Sequence, residues 1–264
     1  MDFSPCAKNA LRFALTIAQE INAHIIVLNS HPFEKINLHF NQPNYMDDFR
    51  TYKKQIESKY VNLIKEIPAL NMVNINFKVK FDSPSVAMLN EIIHTDIDLV
   101  VMGTKGANNR LKSIIGSNTM HIITNTDCPV LAIPQSLKSR KIDNICIALD
   151  IHEDVPVQIN FAFDLARIFI AQIHLLHISN KEDDTSKIKE ADLKDFKNKL
   201  DGMEFTFDSL VNKSIATGIK AYVKNHHVDM LVLFPHRHSF FKRLFNRSVT
   251  KEIASYSETS FLTL

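Results

Sequence analysis

The sequence predicts an α/β fold made of two tandem doubly wound domains, each with a mainly parallel sheet. Three observations predict it. The 264 residues exceed one average domain and suit two of roughly 130, each large enough for its own core. The run Asp98-Leu99-Val100-Val101-Met102 is continuously apolar after its first residue, as in a strand buried on both faces, and it stands between segments of helical period. The pattern also returns. A shift of 148 positions carries Asp2 onto Asp150, Ala14 onto Ala162, Ala18 onto Ala166 and Ala23 onto Ala171, and a shift of 131 carries Asp98–Met102 onto Asp229–Leu233. One α/β unit is therefore written twice, with a shorter middle in the second copy, giving domains over 1–136 and 141–264.

Asp2-Phe3-Ser4-Pro5 leads into a helix over Ala7–Ala23, with Ala10, Phe13, Ala14, Ile17, Ala18 and Ile21 at helical spacing. Ser4 suits its N-cap and Pro5 its first turn. A strand follows at His24–Leu28, then a Pro- and Asn-rich loop from Ser30 to Met46, then a largely polar amphipathic helix over Asp47–Ile67. A strand near Val73–Phe81, a helix over Ser85–His94, the Asp98–Met102 strand, a helix over Ser117–Ile123 and a strand at Cys128–Pro134 complete the first half. After the polar linker Gln135–Arg140, the second half opens with a strand at Ile142–Leu149 ending in Asp150, and Ile173–Ile178 is its second strand. The first half begins at the equivalent aspartate and so lacks its first strand.

Composition excludes several classes. A hydrophobic share of 45% with 23% charged residues is that of an ordinary globular protein, and a net charge of +2 argues neither for nucleic acid nor for a membrane surface. Cys6, Cys128 and Cys146 are far apart with no C-x-x-C pair, which disfavours a disulfide framework or a zinc site. No apolar run of about eighteen residues occurs, and the start lacks the basic and apolar regions of a signal peptide, so a cytoplasmic protein is expected.

The chemistry gathers after Met102. Gly103-Thr104-Lys105-Gly106, nine further residues, then Gly116-Ser117 place three of the chain's five glycines in one pattern behind a buried strand. Gly103 and Gly106 can take positive φ and let backbone N–H groups close on a phosphate. The helix opened by Gly116-Ser117 offers unpaired N–H groups and a dipole that favour an anion, with the Ser117 hydroxyl as a further donor and Lys105, Arg110 and Lys112 adding positive charge.

This Gly-x2-Gly-x9-Gly-Ser pattern, with the Cys128-Pro129-Val130-Leu131 strand after its helix, resembles the nucleotide-binding signature of universal stress proteins. The resemblance covers essentially the whole chain. It implies adenine nucleotide alpha hydrolase-like domains of strand order 3-2-1-4-5, in which the absent strand would lie between His24–Leu28 and Leu99–Met102 and leave unpaired edges. Either the native start lies further upstream or another segment fills the slot. Carried over by position, the resemblance implies adenosine contacts from Asp2, Ser30 with its neighbour Asn29, and Met102, and phosphate contacts from Gly103, Lys105, Gly106, Gly116, Ser117 and Asn118. In the second half Gly103, Gly106 and Gly116 become Phe234, Arg237 and Arg247, whose bulk prevents the same cradle, while Ser117 persists as Ser248. One nucleotide per chain is expected, in the first half.

Other constellations read as structural. His226-His227 and His236-x-His238 have no acidic or cysteine partner at metal-site spacing. Phe240, Phe241, Leu244 and Phe245, between Lys242, Arg243 and Arg247, form an amphipathic stretch whose spacing suits packing on its own domain better than stacking on bases. Lys112-Ser113 has no P-loop before it, and no nucleophile elbow or Cys–His pairing occurs, so no catalytic residue is assigned.

The resemblance thus implies a cytoplasmic protein of stress adaptation that binds ATP or AMP, with or without Mg²⁺, as a regulatory ligand rather than turning it over. Two other classes stay open: a slow ATPase or phosphotransferase, and a nucleotide-free interaction scaffold. The family's last strands pair across a dimer interface, so Val130–Ile133 and Phe261–Leu264 are expected to pair within this chain, a pseudo-dimer able to dimerise again. Neither a nucleic acid nor a membrane partner is expected.

Overall fold

A computed structural model of the chain describes residues 1–32, 45–104, 116–137, 141–151, 153–179, 198, 200, 202–234 and 259–264, the side chains of 45–49 aside. The first half runs α1 (Pro5–Ile21), β1 (His24–Ser30), α2 (Tyr45–Glu66), a short 3-10 helix (Pro68–Met72), β2 (Asn74–Lys80), α3 (Pro84–His94), β3 (Val100–Gly103), α4 (Ser117–Asn125) and β4 (Val130–Ile133). The second runs β5 (Asn144–Ala148), α5 (Ile159–Phe169), β6 (Gln172–Ser179), β7 (Thr206–Val211), α6 (Ile215–Asn225), β8 (Met230–Leu233) and β9 (Ser260–Thr263). Local chemistry accounts for several ends. Ser4 caps α1, its Oγ accepting from the Ala7 N–H at 3.2 Å with Pro5 in the first turn, and Ser214 caps α6 in the same way through Thr217.

The second half is a five-stranded parallel sheet of order β7-β6-β5-β8-β9, which in chain order within the domain is 3-2-1-4-5. Among the described residues, the first half shows the same arrangement without a central strand. β1 and β2 pair in parallel as a separate two-stranded sheet, and β3 and β4 pair in parallel elsewhere. β4 then pairs antiparallel with β9, Leu131 opposite Leu262, which fuses β3 and β4 to the second half in one sheet of seven strands.

That join decides where the core sits. Alternate residues of β4 face opposite sides: Leu131 and Ile133 join α1, α5, Ile145, Ile147 and Leu262, while Val130 and Ala132 join α4, α6, Cys146 and Leu231. Two cores that span both halves therefore sandwich the long sheet. A third packs α2 on β1 and β2 through Ile56, Tyr60, Leu63 and Val27. Helix α1 serves two of them, with Ala10, Phe13 and Ile17 in the first and Leu11 and Leu15 in the third, so it holds the detached pair β1–β2 against the main sheet.

Candidate functional site

The carboxyl end of β3 leads to the predicted phosphate site. The Thr104 N–H donates to the Ile133 carbonyl at 3.0 Å, extending the β3–β4 ladder by one residue. The Thr104 carbonyl accepts from the Gly116 N–H at 2.6 Å, bringing the start of α4 back onto the strand end. Thr119, in the first turn of α4, donates its hydroxyl to the Gly103 carbonyl at 3.1 Å. Thr104 and Thr119 are buried, and together they fix the amino end of α4 beside the end of β3. Gly116 is the N-cap of α4 with no side-chain cap bond, and Ser117 and Asn118 are exposed in the first turn. Their backbone N–H groups belong to the set that a helix leaves without intrahelical partners, which makes this end a site for negative charge.

Gly103 corrects the sequence reading. It lies in β3 and not at positive φ; Gly202 is the positive-φ glycine among the described residues. What requires glycine here is close approach. A Cβ at position 103 would stand 2.7 Å from the Cys6 sulfur and 3.1 Å from the Cys6 carbonyl carbon. The first turn of α1 thus rests directly on the strand, with the Cys6 thiol directed to the Ile133 carbonyl at 3.5 Å and Asn9 donating to the carbonyls of Pro134 and Leu137 at 3.1 and 2.8 Å.

The other predicted residues divide. Met102 is half-buried at the end of β3 and packs on the core that holds α4. The Asp2 carboxylate accepts from the N–H and the hydroxyl of Ser4 at 3.0 and 2.6 Å, so it braces the start of α1. The Ser30 hydroxyl donates to the Asp82 carbonyl, and the Asn29 amide donates to the Met1 carbonyl at 2.6 Å, at the end of β1. Lys105, Gly106, Arg110 and Lys112 lie outside the described residues, as do Arg237, Arg247, Ser248 and the stretch Phe240–Phe245. Thr104, Thr119 and Cys6 escaped the sequence reading, because each acts through a partner that only the folded chain brings near.

In the second half, Phe234 stands where the first glycine of the motif does, buried in the core between α1 and α5. A cavity of about 40 Å³, enough for one or two waters, opens at the carboxyl ends of β5 and β6. Ala148, Asp150, Leu176, Ile178, Ile215 and Ile219 line it. Asp150 Oδ1 is 3.7 Å from His177 Nδ1, which also accepts from the Ile151 N–H at 3.4 Å. The His226 ring stacks on Tyr222 at 3.9 Å, and no group of three or more metal-ligating side chains comes together among the described residues. Among those residues no helix is long and apolar enough to cross a membrane.

Comparison with known proteins agrees with this organisation. The profile of the Universal stress protein family matches twice, over residues 1–134 and 141–264. Among solved structures, a universal stress protein from Archaeoglobus fulgidus DSM 4304 superposes with a TM-score of 0.69 at 15% identity, covering 100% of this chain and 93% of that one. A putative universal stress protein from Pseudomonas aeruginosa UCBPP-PA14 superposes with a TM-score of 0.66 at 13% identity, covering 96% and 87%. At these identities the likeness is one of fold. A search of curated proteins found no significant match.

Proposed function

Since the chain belongs to the universal stress protein family, we propose that it is a cytoplasmic stress-response protein that binds ATP or AMP in its first half, as a ligand that biases conformation or partner surface. One observation carries the reading. Hydrogen bonds from Gly116 and Thr119 dock the amino end of α4 on the end of β3, and Ser117 and Asn118 stand exposed at a helix start suited to a phosphate. The adenosine would lie toward Met102 and Ser30. Lys105 and Gly106 would complete the phosphate contacts, with or without Mg²⁺. The second half would bind no nucleotide in this way, because Phe234 fills the glycine's place. The β4–β9 pairing supports an intrachain pseudo-dimer, which we propose associates further as a homodimer.

Calorimetric titration with ATP and AMP, each with and without magnesium, tests this. About one equivalent should bind, and Gly116→Arg, which introduces the second half's residue, should abolish binding without unfolding the chain, since Gly116 has an ordinary extended φ of −69°. Absence of binding to the unmodified chain would favour the second reading, a nucleotide-free interaction scaffold. Two features favour that reading: Asp2 is engaged with Ser4, and β1 is hydrogen-bonded to β2 in a sheet separate from β3.

A further inference from the structure

The first half carries a second concavity, formed on the opposite side of the detached sheet from α3. Along β2 the residues alternate. Lys78 and Lys80 face α3, where both meet the Glu91 carboxylate, and Phe77, Val79 and Phe81 face α2. Along α2, Lys53, Glu57 and Tyr60 fall on one stripe facing these three, and an open groove of about 400 Å³ lies between. That is within the size range of small-molecule sites.

The lining is chemically sorted. Its base is aromatic: Tyr60 is 4% exposed, with its ring centroid 4.3 Å from that of Phe77, and Tyr52 meets Phe81 edge-on at 6.0 Å. The Tyr60 hydroxyl donates to the Lys78 carbonyl at 3.3 Å and its ring is covered, so it backs the groove while the half-buried Phe77, Val79 and Phe81 present the apolar surface to a ligand. At the mouth stand one cation and one anion, Lys53 and Glu57, a helical turn apart. Neither is in an ion pair with a described residue, whereas the two β2 lysines are committed to Glu91 on the other face. A flat apolar body would bury against the rings, and a carboxylate and an ammonium on that body would meet Lys53 and Glu57.

We propose that this groove is a binding site for a small aromatic zwitterion, a molecule of the aromatic amino acid class, separate from the nucleotide site. The charge pair selects for both ends of the ligand and the rings for its middle. Because the site shares no residue with the nucleotide site, neither reading depends on the other.

The chain contains no tryptophan, so the fluorescence of an added indole reports its own burial. Three probes are titrated: L-tryptophan, 3-indolepropionate without the ammonium, and tryptamine without the carboxylate. L-tryptophan should shift to the blue saturably and bind three- to tenfold more tightly than either truncated probe. Lys53→Gln should weaken L-tryptophan and 3-indolepropionate about three- to tenfold and leave tryptamine unchanged, and Glu57→Gln should do the converse. Both side chains are exposed, so these variants keep the fold. Val79→Phe, which fills the groove, should abolish the shift while circular dichroism confirms folding. An absent or unsaturable shift, or affinity indifferent to both charge substitutions, overturns the proposal.

Discussion

Replacing Ile170 with asparagine should stabilise the protein. Ile170 is the C-cap of α5 in the left-handed region, φ 55° and ψ 42°, and the residue is 91% exposed. Its equivalent at the 148 shift, Asn22, caps α1 with nearly the same geometry, φ 52° and ψ 42°, and the bonds that follow match: Ala171 N–H to Ala166 O at 2.9 Å and Ala23 N–H to Ala18 O at 3.0 Å. A residue with a Cβ loses about 1–2 kcal/mol in this region, and asparagine tolerates it better than a β-branched residue. Exposure means that removing the isoleucine sacrifices almost no burial, so Ile170→Asn should gain about 1 kcal/mol, a rise in Tm of roughly 2–4 °C for a chain of this size. Ile170→Gly should gain somewhat less, because glycine also stabilises the unfolded chain by about 0.5–1 kcal/mol. Asn22→Ile should lose what Ile170→Asn gains. Thermal melts of the three variants at one concentration check this. A neutral or destabilising Ile170→Asn together with a neutral Asn22→Ile would refute the argument from backbone strain.

Three further outcomes follow from the packing. Gly103→Ala drives a methyl to within 2.7 Å of the Cys6 sulfur and should cost about 1–3 kcal/mol in denaturant unfolding. Cys6→Ala should recover part of that loss, the part due to the sulfur; no recovery would place the strain elsewhere. Burial alone would raise the Glu91 carboxyl, but the Lys78 hydrogen bond and charge, with Thr95 and Lys80, outweigh it and hold the pKa below the usual 4.5. A depressed carboxylate stabilises above its unfolded pKa and ceases to as pH falls through the folded one. The stability gap between the unmodified chain and Glu91→Gln should therefore close between roughly pH 6 and pH 3, and a gap constant across that range would contradict the ion pair. Burial, and then Asp98, push the Cys128 thiol up to about 11, burial likewise raises Cys146, and Cys6 is buried. Maleimide labelling at pH 8 should accordingly track unfolding for all three, and labelling complete within minutes in the native state would be inconsistent with these environments.

Much of this architecture was legible because it is local or repeated. The Ser4–Pro5 start of α1, the apolar β3 run and the Gly116-Ser117 start of α4 each carry their signal within a few residues, although β3 is an edge strand with Val100 alone buried. The 148 shift located the position of the central strand, since Ile142–Leu149 aligns ahead of Asp2. Pairing of β4 with β9 was readable only through the family's dimer, because nothing in Val130–Ile133 names a partner more than a hundred residues away. The contact of Cys6 with Gly103 left no local mark: the glycine was read as able to take positive φ in a phosphate cradle, whereas it lies in β3 and its lack of a side chain serves helix-on-strand packing. Thr119 was passed over for the same reason, since a threonine near a helix start looks alike whether or not a strand carbonyl lies within reach, and Thr104 acts through its backbone N–H and carbonyl, which any residue supplies. Ile170 was hidden because β-branching argues against the left-handed conformation that the alignment with Asn22 imposes.

The proposed site for one adenine nucleotide lies in the first half, at the end of β3 and the start of α4. Photolabelling with 8-azido-ATP, followed by proteolysis and peptide mapping, tests it most directly. Label is expected on first-half peptides, within residues 26–134, competed away by ATP and lost in Gly116→Arg. Label confined to the carboxyl ends of β5 and β8, where the second half retains its central strand, would contradict it.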